Sequence, residues 1–272
     1  MNRQIASRLT HNSSPTTTMN PYRYILGTRV DYTTYEKATS DLVSLALNGN
    51  PSGYVCVANV HVVMEAFDNP DFREVINSAY LVTPDGMPLV WGLRLLGIRG
   101  AERVYGPALT PAICNEASKR GIPVGFYGGT ETVLKRMIEN LKLRFPELKV
   151  AYAYSPPFRG LTEEEDRRVI GDINSSGTRI LFVGLGCPKQ ERWMWEHRDR
   201  IDAVMIGVGA AFDFLAGVKP QAPPWMQRVG LEWLFRLITE PRRLWKRYLY
   251  HGPRFVYHFG RQILGDSLRK TN

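Results

Sequence analysis

Apolar positions along this chain follow two alternating periods. Short β-branched or aromatic runs at Tyr54–Val57, Tyr80–Thr83, Val124–Tyr127, Lys149–Tyr152, Ile180–Val183 and Ala203–Ile206 predict strands. Around them, apolar residues spaced three and four apart predict helices over 34–48, 60–78, 88–96, 107–120, 130–144, 162–175 and 188–198. Thr33 with Glu36, and Thr162 with Glu165, fit capping boxes at two of the helix starts. Strand and helix alternating at this spacing imply right-handed crossovers. The expected class is α/β, a Rossmann-like, mostly parallel sheet with helices on both faces. A Ser/Thr/Asn run from Thr10 to Thr18 has no apolar periodicity, so residues 1–20 are expected to be disordered. Residues 21–224 form the expected sheet domain, and 225–272 a basic, amphipathic helical appendage.

In a sheet of this kind ligands bind outside the carboxyl ends of the strands. The residues after each strand are therefore the candidates: Asn59 and His61, Pro84-Asp85-Gly86, Gly128-Gly129-Thr130, Gly184 to Glu191, and Gly207 to Asp213. Gly128 and Gly129 open a helix, where free N–H groups and the helix dipole attract a phosphate, or they simply make a tight turn. Asp85 either accepts a proton from a substrate hydroxyl or caps the helix near Pro88. Asp213 is a structural or substrate hydrogen-bonding carboxylate. Gly184-x-Gly186 and Gly207-x-Gly209 lack the third glycine of a dinucleotide fingerprint, and no Gly-Lys-Ser/Thr triplet occurs. Nicotinamide redox chemistry and nucleoside triphosphate hydrolysis lose their main support. His61 has no histidine grouped with it, since His11, His197, His251 and His258 lie elsewhere along the chain. No metal site and no cofactor are expected. A diphosphate would then need arginine, and Arg103 is the best placed, unless it is only an exposed surface charge.

Charge narrows the partners. The 272 residues carry a formal net charge of +9. From Trp225 onward there are 10 basic and 3 acidic residues, so most of the excess lies in the appendage, which also holds 9 of the 30 aromatic residues. Leu231, Leu234, Phe235 and Ile238 make one apolar helical stripe, which Pro241 interrupts, and Trp245, Tyr248 and Leu249 make a second. Basic amphipathic helices with interfacial aromatics suit an anionic membrane surface. Nucleic acid could use the same charge, although no reading motif accompanies it, and the stripes could instead dock on the body. No apolar run approaches the roughly 18 residues of a spanning helix, and the N-terminus lacks a signal-peptide core. A cytoplasmic location is expected, with Cys56, Cys114 and Cys187 as reduced, mostly buried thiols.

The blocks Val57-Ala58-Asn59, Leu81 to Gly86 with its Pro-Asp-Gly, Arg103 to Gly106, Gly125 to Gly129, Gly184-Leu-Gly-Cys-Pro-Lys-Gln-Glu191, Gly207 to Asp213, Gly230-Leu-Glu-Trp233 and Glu240-Pro-Arg-Arg243 occur in this order. Together they resemble the bacterial WecG/TagA/CpsF glycosyltransferases, over residues 25 to 264. The resemblance implies a metal-independent, inverting transfer of a sugar from a UDP-sugar to a polyprenyl-diphosphate-linked saccharide. The setting it implies is the inner face of the cell membrane, in cell-surface polysaccharide synthesis. It assigns Asp85 as base, Arg103 and Gln190 as substrate contacts, and Arg236, Arg243 and Arg247 to an appendage that completes the site at the bilayer. With the strand-end candidates Asn59, Gly128, Gly129, Gly186 and Asp213, these make up the expected substrate-binding set. Many members carry Thr where this chain has Val57, which implies a different sugar, such as a hexose in place of N-acetylmannosamine. Nucleic acid is not an expected partner under this reading, although a non-catalytic nucleic-acid-binding protein is the alternative. Oligomeric state stays open.

Overall fold

The computed structural model describes residues 20–48 and 52–269, so the expectation for 1–19 falls outside it. A hairpin of β1 (Tyr22–Ile25) and β2 (Thr28–Asp31) leads into α1 (Tyr35–Leu47). Then β3 (Tyr54–Ala58) is followed by α2 (Val60–Asp68) and α3 (Pro70–Asn77), and β4 (Leu81–Pro84) by α4 (Met87–Leu95) and α5 (Gly106–Arg120). Single helices follow the next four strands: β5 (Val124–Gly128) and α6 (Glu131–Arg144), β6 (Val150–Tyr154) and α7 (Glu163–Ser175), β7 (Ile180–Gly184) and α8 (Lys189–His197), β8 (Val204–Gly207) and α9 (Ala211–Leu215). The appendage comprises α10 (Pro224–Arg228), α11 (Glu232–Thr239), α12 (Pro241–Trp245), a π-helical turn (Lys246–Tyr250) and α13 (His251–Arg269).

Strands β3 to β8 form one six-stranded sheet in the order β4-β3-β8-β7-β5-β6, every pair parallel. Alternate residues of the central strands feed two cores. Tyr54, Cys56 and Ala58 face one, Val55 and Val57 the other, and Leu181 and Val183 are opposed in the same way to Ile180 and Phe182. Helices cover both faces, which is why these strands read as continuous apolar runs.

Three local readings change. The hairpin ahead of the sheet went unpredicted. Its two-residue turn places Leu26 and Gly27 at φ +51° and +80°, the primed geometry that matches strand twist, but Leu-Gly is a weaker signal than Asn-Gly. The single helix expected over 60–78 is two helices. Pro70 lacks an N–H and disfavours helical backbone at Asn69, which instead caps α3 by accepting from Phe72 N–H at 3.0 Å. The cap of α1 is Thr34, accepting from Lys37 N–H, and not Thr33. The Thr162/Glu165 capping box is present.

The appendage docks one face on the body. Phe255 and Phe259 of α13 join the first core, and Gly92 of α4 makes room for Phe259, whose ring would lie 3.2 Å from a Cβ there. Gln262 accepts from Leu26 N–H and donates to Tyr24 C=O, both at 2.8 Å, while Arg254 grips Asp68 at 2.6 and 2.8 Å. The other face is open: Trp245, Leu249, Val256 and Tyr257 are exposed. Among the described residues no helix is long and apolar enough to cross a membrane.

At the end of β5, Gly128 has φ +124°, and a Cβ would lie 2.6 Å from the Gly184 backbone. Gly128→Ala is therefore expected to destabilise the fold by about 2–4 kcal/mol, seen as a thermal midpoint lowered by roughly 5–15 °C. Gly160→Ala, where a Cβ meets nothing within 4 Å, is the control and should leave the midpoint nearly unchanged.

Candidate active site

The carboxyl ends of β3, β4, β7 and β8 surround one cleft, and the appendage closes its open side. Asn59, Asp85, Gly186, Gln190, Arg236, Arg243 and Arg247, all expected from the sequence, line it together with Val57. Four stretches of sequence far apart along the chain thus converge on one space.

Asp85 is held from three directions. Its own N–H donates to Ala58 C=O at 2.7 Å, extending the β3/β4 ladder by one bond. Asn59 caps α2 through Oδ1 and donates from Nδ2 to Asp85 Oδ2 at 3.3 Å. Arg103 donates from Nε to the Asp85 carbonyl and places Nη2 3.4 Å from Oδ1. The cap of α4 is Gly86, without a side-chain bond, so Asp85 does not serve as a helix cap. Its carboxylate faces the cleft about one-fifth exposed, at a side-chain value of 21%.

Arg103 is neither a free surface charge nor a free anion clamp. Its Nη1 pairs with Glu232 of α11 at 2.7 Å, and its plane stacks on Tyr105 at 4.0 Å. Burial pulls its pKa down, but the Asp85 and Glu232 carboxylates hold it above the ordinary value. Glu232 was quoted in the sequence only as part of a block. Its role needs the fold, because α11 reaches β4 only after docking.

The cationic groups that do open to the cleft are Arg236, Arg243 and Arg247. Arg236 lies 5.5 Å from the centroid of the Phe214 ring, with Nε and Nη2 buried and unpartnered. Arg247 has no carboxylate within ion-pair distance among the described residues. Burial lowers its pKa, and repulsion from Arg236 and Arg243 adds to the effect. Arg243 is held by Glu240, at 2.6 Å, which also takes Lys219; Lys219 in turn pairs with Asp213 at 2.6 Å. Asp213 thus tethers α9 to the appendage and lies outside the cleft lining.

Gly128 and Gly129 also lie outside that lining. The Gly129 N–H is donated to Gly184 C=O, and Thr130 caps α6, so the turn serves chain packing and leaves that N–H unavailable to a phosphate. At the end of β7, Gln190 is fixed at both ends. Its Oε1 accepts from Gly186 N–H at 3.1 Å, and its Nε2 donates to Glu191 Oε1 at 2.8 Å. Gly207 lacks a side chain where a Cβ would crowd the Gln190 amide at 3.1 Å. One Nε2 hydrogen is left for the cleft.

Burial changes the histidine reading as well. His61 and His251, distant in sequence, stand with ring centroids 5.3 Å apart. Burial, then Arg247 and His251, lowers the His61 pKa to about 3, so its imidazole is neutral across physiological pH. No sequence spacing could pair them, because His251 arrives on the docked appendage.

Glu191 is fully buried beneath the cleft, and burial raises its pKa to about 7 from an ordinary 4.5, against smaller lowering effects from Gln190, Cys187 and Arg247. Below pH 4.5 both folded and unfolded chains hold the proton. Between 4.5 and 7 only the folded chain does, so stability falls with rising pH through this window and levels off above it, by on the order of 3 kcal/mol. Glu191→Gln should therefore raise the thermal midpoint at pH 8 relative to the native chain and have little effect at pH 4.5. Melts at both pH values check this, and a pH-independent difference would contradict it.

Comparison with known proteins agrees with the geometry. Residues 23–269 match the glycosyl transferase WecG/TagA/CpsF family. The N-acetylglucosaminyldiphosphoundecaprenol N-acetyl-beta-D-mannosaminyltransferase of Bacillus spizizenii is 33% identical over 211 residues, covering 77% of this chain and 80% of that protein. The protein of the same name from Bacillus subtilis strain 168 is 31% identical over 197 residues, covering 72% and 74%. The chain therefore belongs to the WecG/TagA/CpsF family and is a glycosyltransferase.

Proposed function

We propose that this enzyme transfers a sugar from a UDP-sugar to a saccharide carried on a polyprenyl diphosphate, in the synthesis of a bacterial cell-surface polymer. The observation that carries this reading is the pairing of two features in one cleft. A carboxylate is held at a strand end, and the buried Nε and Nη2 donors of Arg236 have no hydrogen-bond partner among the described residues. A buried, unneutralised guanidinium is unfavourable unless an anion completes it. A nucleoside diphosphate presents that anion. The names of the Bacillus relatives describe an acceptor of this class.

Asp85 accepts the proton of the acceptor hydroxyl as its oxygen bonds to the anomeric carbon. The bond from that carbon to the β-phosphate oxygen breaks on the opposite side, so configuration inverts and UDP leaves. Asn59 and Arg103 hold the carboxylate in place. Arg236 and Arg247, with Arg243 beside them, meet the charge that develops on the departing diphosphate. The clamp is cationic side chains, so the chemical step needs no metal. Gln190, held by the Gly186 N–H, offers its remaining Nε2 hydrogen to the sugar or its phosphates. Val57 lines the same cleft, so the hydroxyl that many relatives place there is replaced by methyl groups, which favours a sugar without a hydrogen bond at that point.

The exposed face of the appendage fits a peripheral position on the inner leaflet, where its substrate is anchored. Trp245 and Leu249 are more than half exposed and flank Arg242 and Lys246, an apolar and basic combination suited to anionic lipid.

Asp85→Asn is expected to retain the fold and to lose at least ~100-fold in transfer rate, the scale of general-base catalysis. Arg236→Met should keep or raise the thermal midpoint of the free enzyme, since it removes a buried, unpartnered charge, while weakening UDP binding at least ~10-fold. Transfer assayed by UDP release with a short polyprenyl-diphosphate acceptor, together with calorimetric titration of UDP, checks both. Near-normal turnover of Asp85→Asn would remove it as the base. Co-sedimentation with vesicles rich in anionic lipid should fall in the double variant Arg242→Glu, Lys246→Glu; equal sedimentation of both proteins would place the membrane contact elsewhere.

A further inference from the structure

Beside the cleft lies a second cavity, lined by His61, Glu65, Asp68, Arg243, Lys246, Arg247, Tyr250 and His251. Two of its carboxylates behave differently. Asp68 is gripped by Arg254. Glu65, one turn earlier on α2, has no lysine or arginine within ion-pair distance among the described residues, although three basic side chains line the same cavity. Its Oε1 instead stands 3.6 Å from His61 Nδ1 and 3.6 Å from His251 Nε2. Both separations are too long for hydrogen bonds. His61 Nδ1 is buried without a partner. One ligand atom from each of the three residues falls within a span of 4.8 Å.

An ion with bonds of 2.0–2.2 Å in tetrahedral geometry separates its ligand atoms by about 3.4 Å, so the two shorter gaps need to close by only a few tenths of an ångström. Two imidazoles and one carboxylate make a donor set for a borderline transition metal. Magnesium or calcium would call for oxygen ligands. His61 and Glu65 are four residues apart on one face of α2, and His251 begins α13, so an ion here would join the body to the appendage. Arg243, Lys246 and Arg247 oppose a bare dication and favour an anion, such as hydroxide or phosphate, as its remaining ligand.

We propose that His61, Glu65 and His251 form a binding site for a zinc-class dication that clips the appendage to the sheet domain. The site adjoins the cleft and shares His61, Arg243 and Arg247 with its lining, but does not include Asp85, and it is tested without any sugar transfer. Zinc is titrated calorimetrically into the untagged full-length chain, freed of metal by a chelator, with a thermal melt in parallel. The expected result is one zinc per chain and a raised thermal midpoint, with affinity falling at least ~10-fold in both Glu65→Gln and His251→Ala. His251 is buried, so loss of folding in His251→Ala would leave Glu65→Gln, which keeps the volume of a partly exposed side chain, as the deciding variant. No zinc binding by the native chain up to ~100 µM, or binding of unchanged affinity in Glu65→Gln, would overturn the proposal.

Discussion

The guanidinium of Arg103 is the joint on which the site depends. It meets the backbone and carboxylate of Asp85 on one side and the carboxylate of Glu232 on the other, so the strand end that carries Asp85, the proposed base, and the first long helix of the appendage share one cation. Two carboxylates brought this close would repel; with Arg103 between them, each is drawn to the shared cation. Removing the appendage would leave Arg103 with one partner, open the cleft, and take Arg236, Arg243 and Arg247 away together. The sheet domain positions the Asp85 carboxylate, but the complete charge pattern exists only when the C-terminal helices are docked.

That pattern works against the stability of the free protein. Arg247 is placed where burial and repulsion from Arg236 and Arg243 both disfavour its charge, Arg236 has Nε and Nη2 buried without a hydrogen-bond partner, and among the described residues no carboxylate lies within ion-pair distance of either. A chain under selection for stability alone would neutralise them, as it neutralises Arg254 with Asp68 and Arg103 with Asp85 and Glu232. Unmatched charge in a cleft is the usual signature of a site whose counter-ion is the ligand. Glu191 fits the same logic in the opposite sense. A buried carboxyl whose pKa is raised to about 7 carries its full negative charge beneath the cleft only above neutrality, and in either state it can accept the hydrogen bond that orients Gln190.

How much of this the sequence could show depended on the range of each interaction. Five of the six strands are buried almost throughout and must be apolar, and the half-exposed edge strand β6 still shows as a run through its valine and tyrosines, so all six were visible, and the strand-end rule turned them into a shortlist that contains Asn59, Asp85, Gly186 and Gln190. Errors arose where a backbone detail decides the outcome. Pro70 splits a helix whose apolar spacing continues through it, and Leu26-Gly27 makes a turn that side-chain pattern hardly marks. Gly128-Gly129 shows the limit of a local signal: the same residues suit a phosphate or a close chain crossing, and the Gly129 N–H is already donated to Gly184. Arg103, Asp213 and His61 were misjudged or left open for a single reason. Their partners are Glu232, Lys219 and His251, and only the tertiary fold brings those near.

The appendage combines two demands that normally conflict. To complete the cleft it must be fixed on the body, and to meet the proposed lipid-anchored acceptor it must keep apolar and basic groups in the open. The helices separate these demands by face and by position along the chain. Leu244, Phe255 and Phe259 are buried, while Trp245, Val256 and Tyr257, one or two positions away, point outward, as does Leu249 between them. The π-helical turn between α12 and α13 lies within this stretch. An extra residue in a helical turn shifts the phase of every side chain beyond it, a device often found at functional sites. Here the turn contains Arg247 and immediately precedes His251, so it sits between the helix that presents Arg243 to the cleft and the helix that anchors in the core. The amphipathic pattern expected to choose between membrane and body therefore leaves room for both, because one face is docked on the core and the other is free for the proposed lipid contact.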